Sequence, residues 1–135
     1  MQNHFKFFLV GAVAYLIGSI PFGLIIGYLW KGNDVRNQGS QSTGATNVWR
    51  QSGSFPAILT AMMDIAKGSA ATGFAIWMGN DVIMTTTAIL FVISGHIWPV
   101  FIGFKGGKGV ATCVGCLAVL SLKKTILLVL CWAIW

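Results

Sequence analysis

From Phe7 to Trp30 the chain carries no charged side chain. As a helix rising about 1.5 Å per residue, this run is about 36 Å long, enough to cross the hydrocarbon core of a bilayer. Few chains with such a run fold in water, and the rest of the sequence agrees. Mean hydropathy is +0.77, 56% of residues are hydrophobic and 9% are charged, against roughly 25% charged in ordinary soluble domains. The expectation is an all-α, polytopic transmembrane helical bundle forming a single domain over residues 1–135. One feature interrupts the first run, Gly18-Ser19-Ile20-Pro21-Phe22-Gly23. Proline removes a helix hydrogen bond, so a kink is expected, serving either close packing or the lining of a polar cavity.

Further segments follow at about residues 56–78, 82–104, 109–122 (short or tilted) and 125–135. The N-terminal run is too long for a signal-peptide core and has no A-x-A-like cleavage site after it, so it reads as a retained helix. The final run is about half a bilayer in length. The sequence therefore reads as part of a longer protein, expected to insert but to turn over little by itself. Lys31, Arg36 and Arg50 lie in the polar segment 31–54, and Lys105 and Lys108 in a second loop. Lys/Arg asymmetry places both loops in the cytoplasm and the Asn80-Asp81 turn outside. In the segment 56–78, Asp64 and Lys67 are spaced i, i+3 and share one helical face. They either pair with each other or shape a polar site.

The formal charge of +6 comes from nine Lys/Arg against three Asp, with no Glu. A basic balance can signal nucleic acid, but here the charges sit at the ends of apolar runs, so no nucleic-acid partner is expected. Cys113, Cys116 and Cys131 lie in apolar stretches. The lone CxxC lacks a second pair or a metal-spaced His and reads as packing residues. Neither a metal nor a cofactor is expected.

Chemistry concentrates in the two basic loops. Gly103-Phe104-Lys105-Gly106-Gly107-Lys108-Gly109 sets two lysines among four glycines, and the 31–54 segment adds Arg36, Arg50, Ser40, Ser42, Thr43, Thr46 and Asn47. Cations, hydroxyls and free backbone amides are what a phosphate group needs. A helix starting after Gly109 would add its N-terminus. GFKGGKG is not a Walker A loop, because Gly109 follows Lys108 where Ser or Thr is required. By itself such a loop is weak evidence, and its alternative is a lipid-headgroup anchor. His96 has Phe101 where an HxxxxD acyltransferase signature needs Asp, and by itself reads equally as a packed histidine.

Four segments, GSIPFG (18–23), GSQSTGATNVWR (39–50), MMDIAKG (62–68) and GHIWPVFIGFKGGKGVAT (95–112), occur in an order that resembles the acyl-phosphate-dependent glycerol-3-phosphate acyltransferases, the PlsY family of bacterial membrane enzymes. The resemblance implies a bundle of about seven transmembrane helices in the full family, roughly the first four to five here, in the bacterial cytoplasmic (inner) membrane with the site facing the cytosol. It implies acyl transfer from acyl phosphate to glycerol 3-phosphate, giving lysophosphatidate and phosphate in phospholipid synthesis. By motif match it assigns His96, Ser40 and Lys108 to catalysis. Arg50, Asn47, Thr46, Lys105, Gly106, Gly107 and Gly109 fall to substrate or phosphate binding. The implied partners are the two substrates and the lipid bilayer, with no obligate protein partner. The chain departs from the family's usual GSGN by carrying Gln41 and Ser42.

An acyl phosphate is already activated, so no protein nucleophile is needed, and no Ser-His-Asp or Cys-His set is evident. Two proton acceptors remain open, His96 and an oxygen of the acyl phosphate itself. Two other functions fit less of the sequence. A phosphate-ester transporter would suit kinked helices and intramembrane charge, but no inverted repeat is found. A non-catalytic protein binding anionic lipid has no use for Ser40, Asn47 or His96.

Overall fold

The computed structural model describes residues 2–79 and 81–134. Asn80, part of the turn expected outside, lies beyond the described residues, as does the terminal Trp135. The described residues form seven α-helices: α1 Gln2–Ser19, α2 Phe22–Lys31, α3 Ala45–Ser52, α4 Ser54–Gly79, α5 Val82–Ile97, α6 Val110–Leu120 and α7 Leu122–Ile134. Single 3₁₀ turns occupy Val35–Asn37 and Val100–Ile102. Two stretches are long and apolar enough to cross a membrane, His4–Lys31 and Val82–Ile102.

Several boundaries differ from the sequence reading. The run 7–30 is two helices, because Pro21 ends the hydrogen-bond ladder after Ser19. The polar segment 31–54 contains α3, with Gly44 before it and Gly53, at φ 91°, after it. The segment expected at 56–78 is α4 and begins at Ser54. The 82–104 segment is helical only to Ile97, where Trp98 and Pro99 turn the chain. The segments 109–122 and 125–135 become α6 and α7, with the break at Ser121 and with Lys123 and Lys124 in the first turn of α7.

Two close helix crossings hold the bundle. In lipid, helices gain little from apolar burial and associate through small residues that let backbones approach. Between α1 and α5, a Cβ on Gly18 would collide with the Val92 backbone, and one on Gly95 with the Tyr15 backbone. Val10, Ala14, Ala88 and Val92 fill that seam and are fully buried. Between α4 and α6, Gly68 lies against Thr112 and Gly115 against Ile65. There Ser69 Oγ donates to the Gly115 carbonyl at 2.9 Å.

The break at Pro21 is put to use. It leaves the Ile20 carbonyl outside a regular helix, and Lys67 Nζ donates to it at 3.0 Å. Lys67 and Asp64 form an ion pair at 2.9 Å with each side chain only 3% exposed. The kink and the α4 charges, two separate signals in the sequence, are one structure.

These contacts fix the depth of the polar centre. Asp64 lies ten residues into α4, about 15 Å from the Ser54 end. α5 ends at the same level, its His96 Nδ1 being 3.5 Å from Asp64 Oδ1. The polar centre therefore lies well inside the bundle, beneath the end formed by α2, α3 and the start of α4. Thr46 belongs to that end and is exposed, whereas Val82 is exposed at the other. With the native cysteines replaced, an impermeant maleimide applied from one side of sealed vesicles is expected to label only one of Thr46→Cys and Val82→Cys. Equal labelling of both would contradict this arrangement.

Candidate phosphate-binding site

The 31–54 loop is built around Asn47, which is 1% exposed. Its Nδ2 donates to the Val35 carbonyl at 2.7 Å and the Ser42 carbonyl at 2.8 Å, and its Oδ1 accepts from the Ser40 amide at 3.1 Å. The motif match put Asn47 among ligand-binding residues. In the structure its amide is engaged within the loop, so it shapes the loop that presents Ser40. Arg36, counted among the free cations from sequence, is also engaged. Its guanidinium pairs with Asp34 at 2.7 Å and donates from Nη1 to the Ile102 carbonyl at 3.0 Å, tying the first loop to the second. Hydrogen bonds from the Arg36 side chain hold the Asp34 carboxyl below the usual carboxylate range. This contribution is complete above about pH 4, the unfolded carboxylate value, and fades as pH falls through the lower folded value.

Gln41, one of the two departures from the motif that the resemblance implies, has φ 55°. A side chain in this left-handed region crowds the following carbonyl, at roughly 1–2 kcal/mol. Ser42, the other departure, accepts from the Gly44 amide through Oγ at 3.2 Å. The departure is therefore strained at its first position and hydrogen-bonded at its second. Ser40, Thr46 and Arg50 are exposed, whereas Thr43 is buried.

The second loop folds back over the end of α5. The Gly106 amide donates to the Ile97 carbonyl and the Gly107 amide to the His96 carbonyl, both at 3.1 Å. A Cβ on Gly106 would strike the His96 carbonyl, and one on Gly107 the His96 Nε2. Only glycine allows the backbone to pass this close to the imidazole, which explains the diglycine. Lys105 and Lys108 flank it and are exposed. Gly109, at φ 79°, is the N-cap of α6 and supplies no side-chain cap. The first α6 amides are thus left for a ligand, as at many anion sites. The two loops touch directly where the Thr43 amide donates to the Gly106 carbonyl at 3.4 Å.

His96 is not merely packed. Its Nδ1 lies 3.2 Å from Thr112 Oγ1 and 3.5 Å from Asp64 Oδ1. Its Nε2 lies under Gly107 and has no hydrogen-bond partner among the described residues. Sequence reasoning found Asp64 and His96 separately but missed their contact, because they are far apart in the chain and no local spacing reports it. A cavity of about 260 Å³ lies elsewhere, lined by Lys31, Asn33, Asp34, Asn37, Gln38 and Gln51 among others. Its walls include none of His96, Lys105, Lys108 or Arg50. The residue chemistry, rather than cavity size, therefore identifies the candidate site.

Two stability outcomes follow from this geometry. Asn47→Ala strands the Ser42 carbonyl and the Ser40 amide, while Gln51 Nε2 still reaches the Val35 carbonyl, and is expected to lower unfolding stability by about 2 kcal/mol. Gln41→Gly relieves the left-handed backbone and is expected to raise it by about 1 kcal/mol. Thermal unfolding of the purified variants in detergent checks both. A neutral Asn47→Ala or a destabilising Gln41→Gly would contradict the loop geometry.

Residues 8–135 match the glycerol-3-phosphate acyltransferase family. The chain is 44% identical to a glycerol-3-phosphate acyltransferase of Desulforamulus reducens over 88% of its own length and 60% of the relative's. It is 46% identical to one of Synechococcus sp. (strain CC9605), over 83% of its length and 55% of the relative's. Two crystal structures of PlsY, an integral membrane glycerol 3-phosphate acyltransferase, share the fold. The glycerol 3-phosphate form aligns with a TM-score of 0.88 at 40% identity, covering 94% of this chain and 64% of that one. The lysophosphatidic acid form aligns at 0.84 and 36% identity, covering 93% and 62%. The chain spans between half and two thirds of the length of these relatives. On sequence and fold together, this chain belongs to the glycerol-3-phosphate acyltransferase family of integral membrane proteins.

Proposed function

We propose that the protein transfers a fatty acyl group from acyl phosphate to glycerol 3-phosphate, giving lysophosphatidate and phosphate. The observation that carries this reading is the junction of the two loops over His96. Exposed lysines and an uncapped helix N-terminus lie around an imidazole that sits beneath them inside the bundle. In this reading the end with both loops faces the cytosol of a bacterium, within the inner membrane. Glycerol 3-phosphate arrives there from water, and the acyl phosphate enters from the bilayer. No cofactor, metal or obligate protein partner is invoked.

The reaction asks mainly for alignment and charge stabilisation. A glycerol 3-phosphate hydroxyl oxygen attacks the acyl carbonyl carbon and forms the new ester C–O bond. The acyl carbon–oxygen bond to phosphate then breaks, and phosphate leaves with the electron pair. The hydroxyl proton passes to His96 Nε2 or to an oxygen of the departing phosphate. Lys105, Lys108 and Arg50 neutralise the two phosphate groups, Ser40 and Thr46 donate hydroxyl hydrogen bonds, and Gly106, Gly107 and Gly109 give the backbone its close approach.

The test is transfer of a long-chain acyl group to radiolabelled glycerol 3-phosphate. It is run on the chain itself and on the chain joined to the C-terminal third of the Desulforamulus reducens relative. Each charge-assisted contact contributes roughly 1.5–3 kcal/mol. Lys108→Ala and Arg50→Ala are therefore expected to lower kcat/KM at least about tenfold, and Cys113→Ala to leave it nearly unchanged. Loss of transfer in Cys113→Ala with full activity in Lys108→Ala would overturn the assignment.

A further inference from the structure

The buried pair Asp64–Lys67 has no part in the proposed phosphate contacts, yet it lies directly behind the imidazole. Asp64 Oδ1 is 2.9 Å from Lys67 Nζ and 3.5 Å from His96 Nδ1. Lys67 is fixed in turn by the Ile20 carbonyl, and its Nζ sits 5.8 Å from the centre of the Phe22 ring. His96 therefore faces a carboxylate with one nitrogen and the diglycine backbone with the other. A carboxylate only accepts hydrogen bonds, whereas a hydroxyl such as Thr112 Oγ1 both donates and accepts. A lone pair on Nδ1 would oppose the Asp64 oxygen. A proton on Nδ1 meets an acceptor there and another at Thr112 Oγ1.

We propose that Asp64, held in place by Lys67, is a positioning residue that fixes His96 in the Nδ1–H tautomer, so that the Nε2 lone pair faces the loop and accepts the hydrogen bond of the attacking glycerol hydroxyl. The protein group that a ligand hydrogen-bonds is commonly set by what the far side of the ring touches. Lys67 makes the arrangement tolerable inside a membrane, since the pair and a neutral imidazole together carry no net charge. The break at Pro21 is then part of the same device, because it takes the carbonyl that anchors Lys67 out of the helical ladder, where the Phe22 amide is its other donor. Asp64 touches no substrate in this arrangement and acts only through His96. The kinetic consequence rests on the acyl-transfer reading; the tautomer does not.

The chain has two histidines, His4 exposed and His96 buried, so its ¹⁵N-imidazole spectrum is simple. With ¹⁵N-histidine incorporated into the purified chain in micelles at pH 8, long-range ¹H–¹⁵N correlation reads which ring nitrogen carries the proton. The expected result is Nδ1–H for His96, retained in Thr112→Val, where Asp64 still accepts. In Asp64→Leu/Lys67→Met, which removes both buried charges together, at least half of the population is expected to change to Nε2–H. His96 found as Nε2–H or as the imidazolium in the unsubstituted chain would overturn the proposal. So would a change of tautomer in Thr112→Val, or none in the double variant. In the transfer assay, the double variant is expected to lose at least tenfold in kcat while KM for glycerol 3-phosphate stays within about threefold. Absence of transfer from every form, with the tautomer as stated, would count against the acyl-transfer reading and leave the positioning of His96 standing.

Discussion

The ion pair between Asp64 and Lys67 organises the interior of this bundle. Burying two charges costs several kcal/mol each unless every polar atom is engaged. Here the cost is offset by partners drawn from three other elements: the Ile20 carbonyl between α1 and α2, His96 at the end of α5, and Thr112 through that same imidazole. Each partner is available because its helix stops or bends at that level. α1 ends at Ser19, α5 ends at Ile97 and α6 begins at Val110. The polar centre and the helix ends therefore define one another. In an uninterrupted helix the Ile20 carbonyl would be engaged in the helical ladder instead of shared between the Phe22 amide and Lys67.

Glycine carries the second constraint, at two scales. Between helices it brings α1 to α5 and α4 to α6 at backbone contact. Within the second loop it lets the chain pass over the imidazole, where any Cβ would intrude. The result is a loop whose backbone is fixed to α5 while its two lysines stay exposed. The first loop reaches a similar state by another route, with Asn47 and Arg36 used as internal ties so that Ser40 and Arg50 remain outside. Such division between residues that shape a loop and residues that face out from it is what preorganised electrostatic binding requires.

Much of this was legible in the sequence, and the reasons differ from one feature to another. Apolar length and sparse charge reveal the helices, because a bilayer leaves few alternatives. The glycine-lysine loop and the polar 31–54 segment stand out by composition. Helix ends were less legible. Pro21 signalled a kink but not that the break would separate two helices, nor that the Ile20 carbonyl at the break would bind Lys67, forty-six positions beyond the proline. α3 was hidden because it is only eight residues long and lies within a polar segment that reads as loop; it is ordered by Asn47 and Gln51 bonding to the preceding loop. Arg36 and Asn47 have the residue types of ligand contacts and the geometry of internal ties, a distinction that only tertiary contacts reveal. The approach of Asp64 to His96 has no local signature at all.

The central claim is that two loops, distant in sequence, form one phosphate site at one end of the bundle. Calorimetric titration of the purified chain in micelles with glycerol 3-phosphate tests it most directly, repeated in the presence of inorganic phosphate and with Arg50→Ala and Lys108→Ala. The account predicts a single saturable site for which inorganic phosphate competes and glycerol does not. It also predicts that a substitution in either loop weakens that site at least about tenfold. Binding that depends on one loop but not the other, or that glycerol displaces as well as phosphate does, would contradict it.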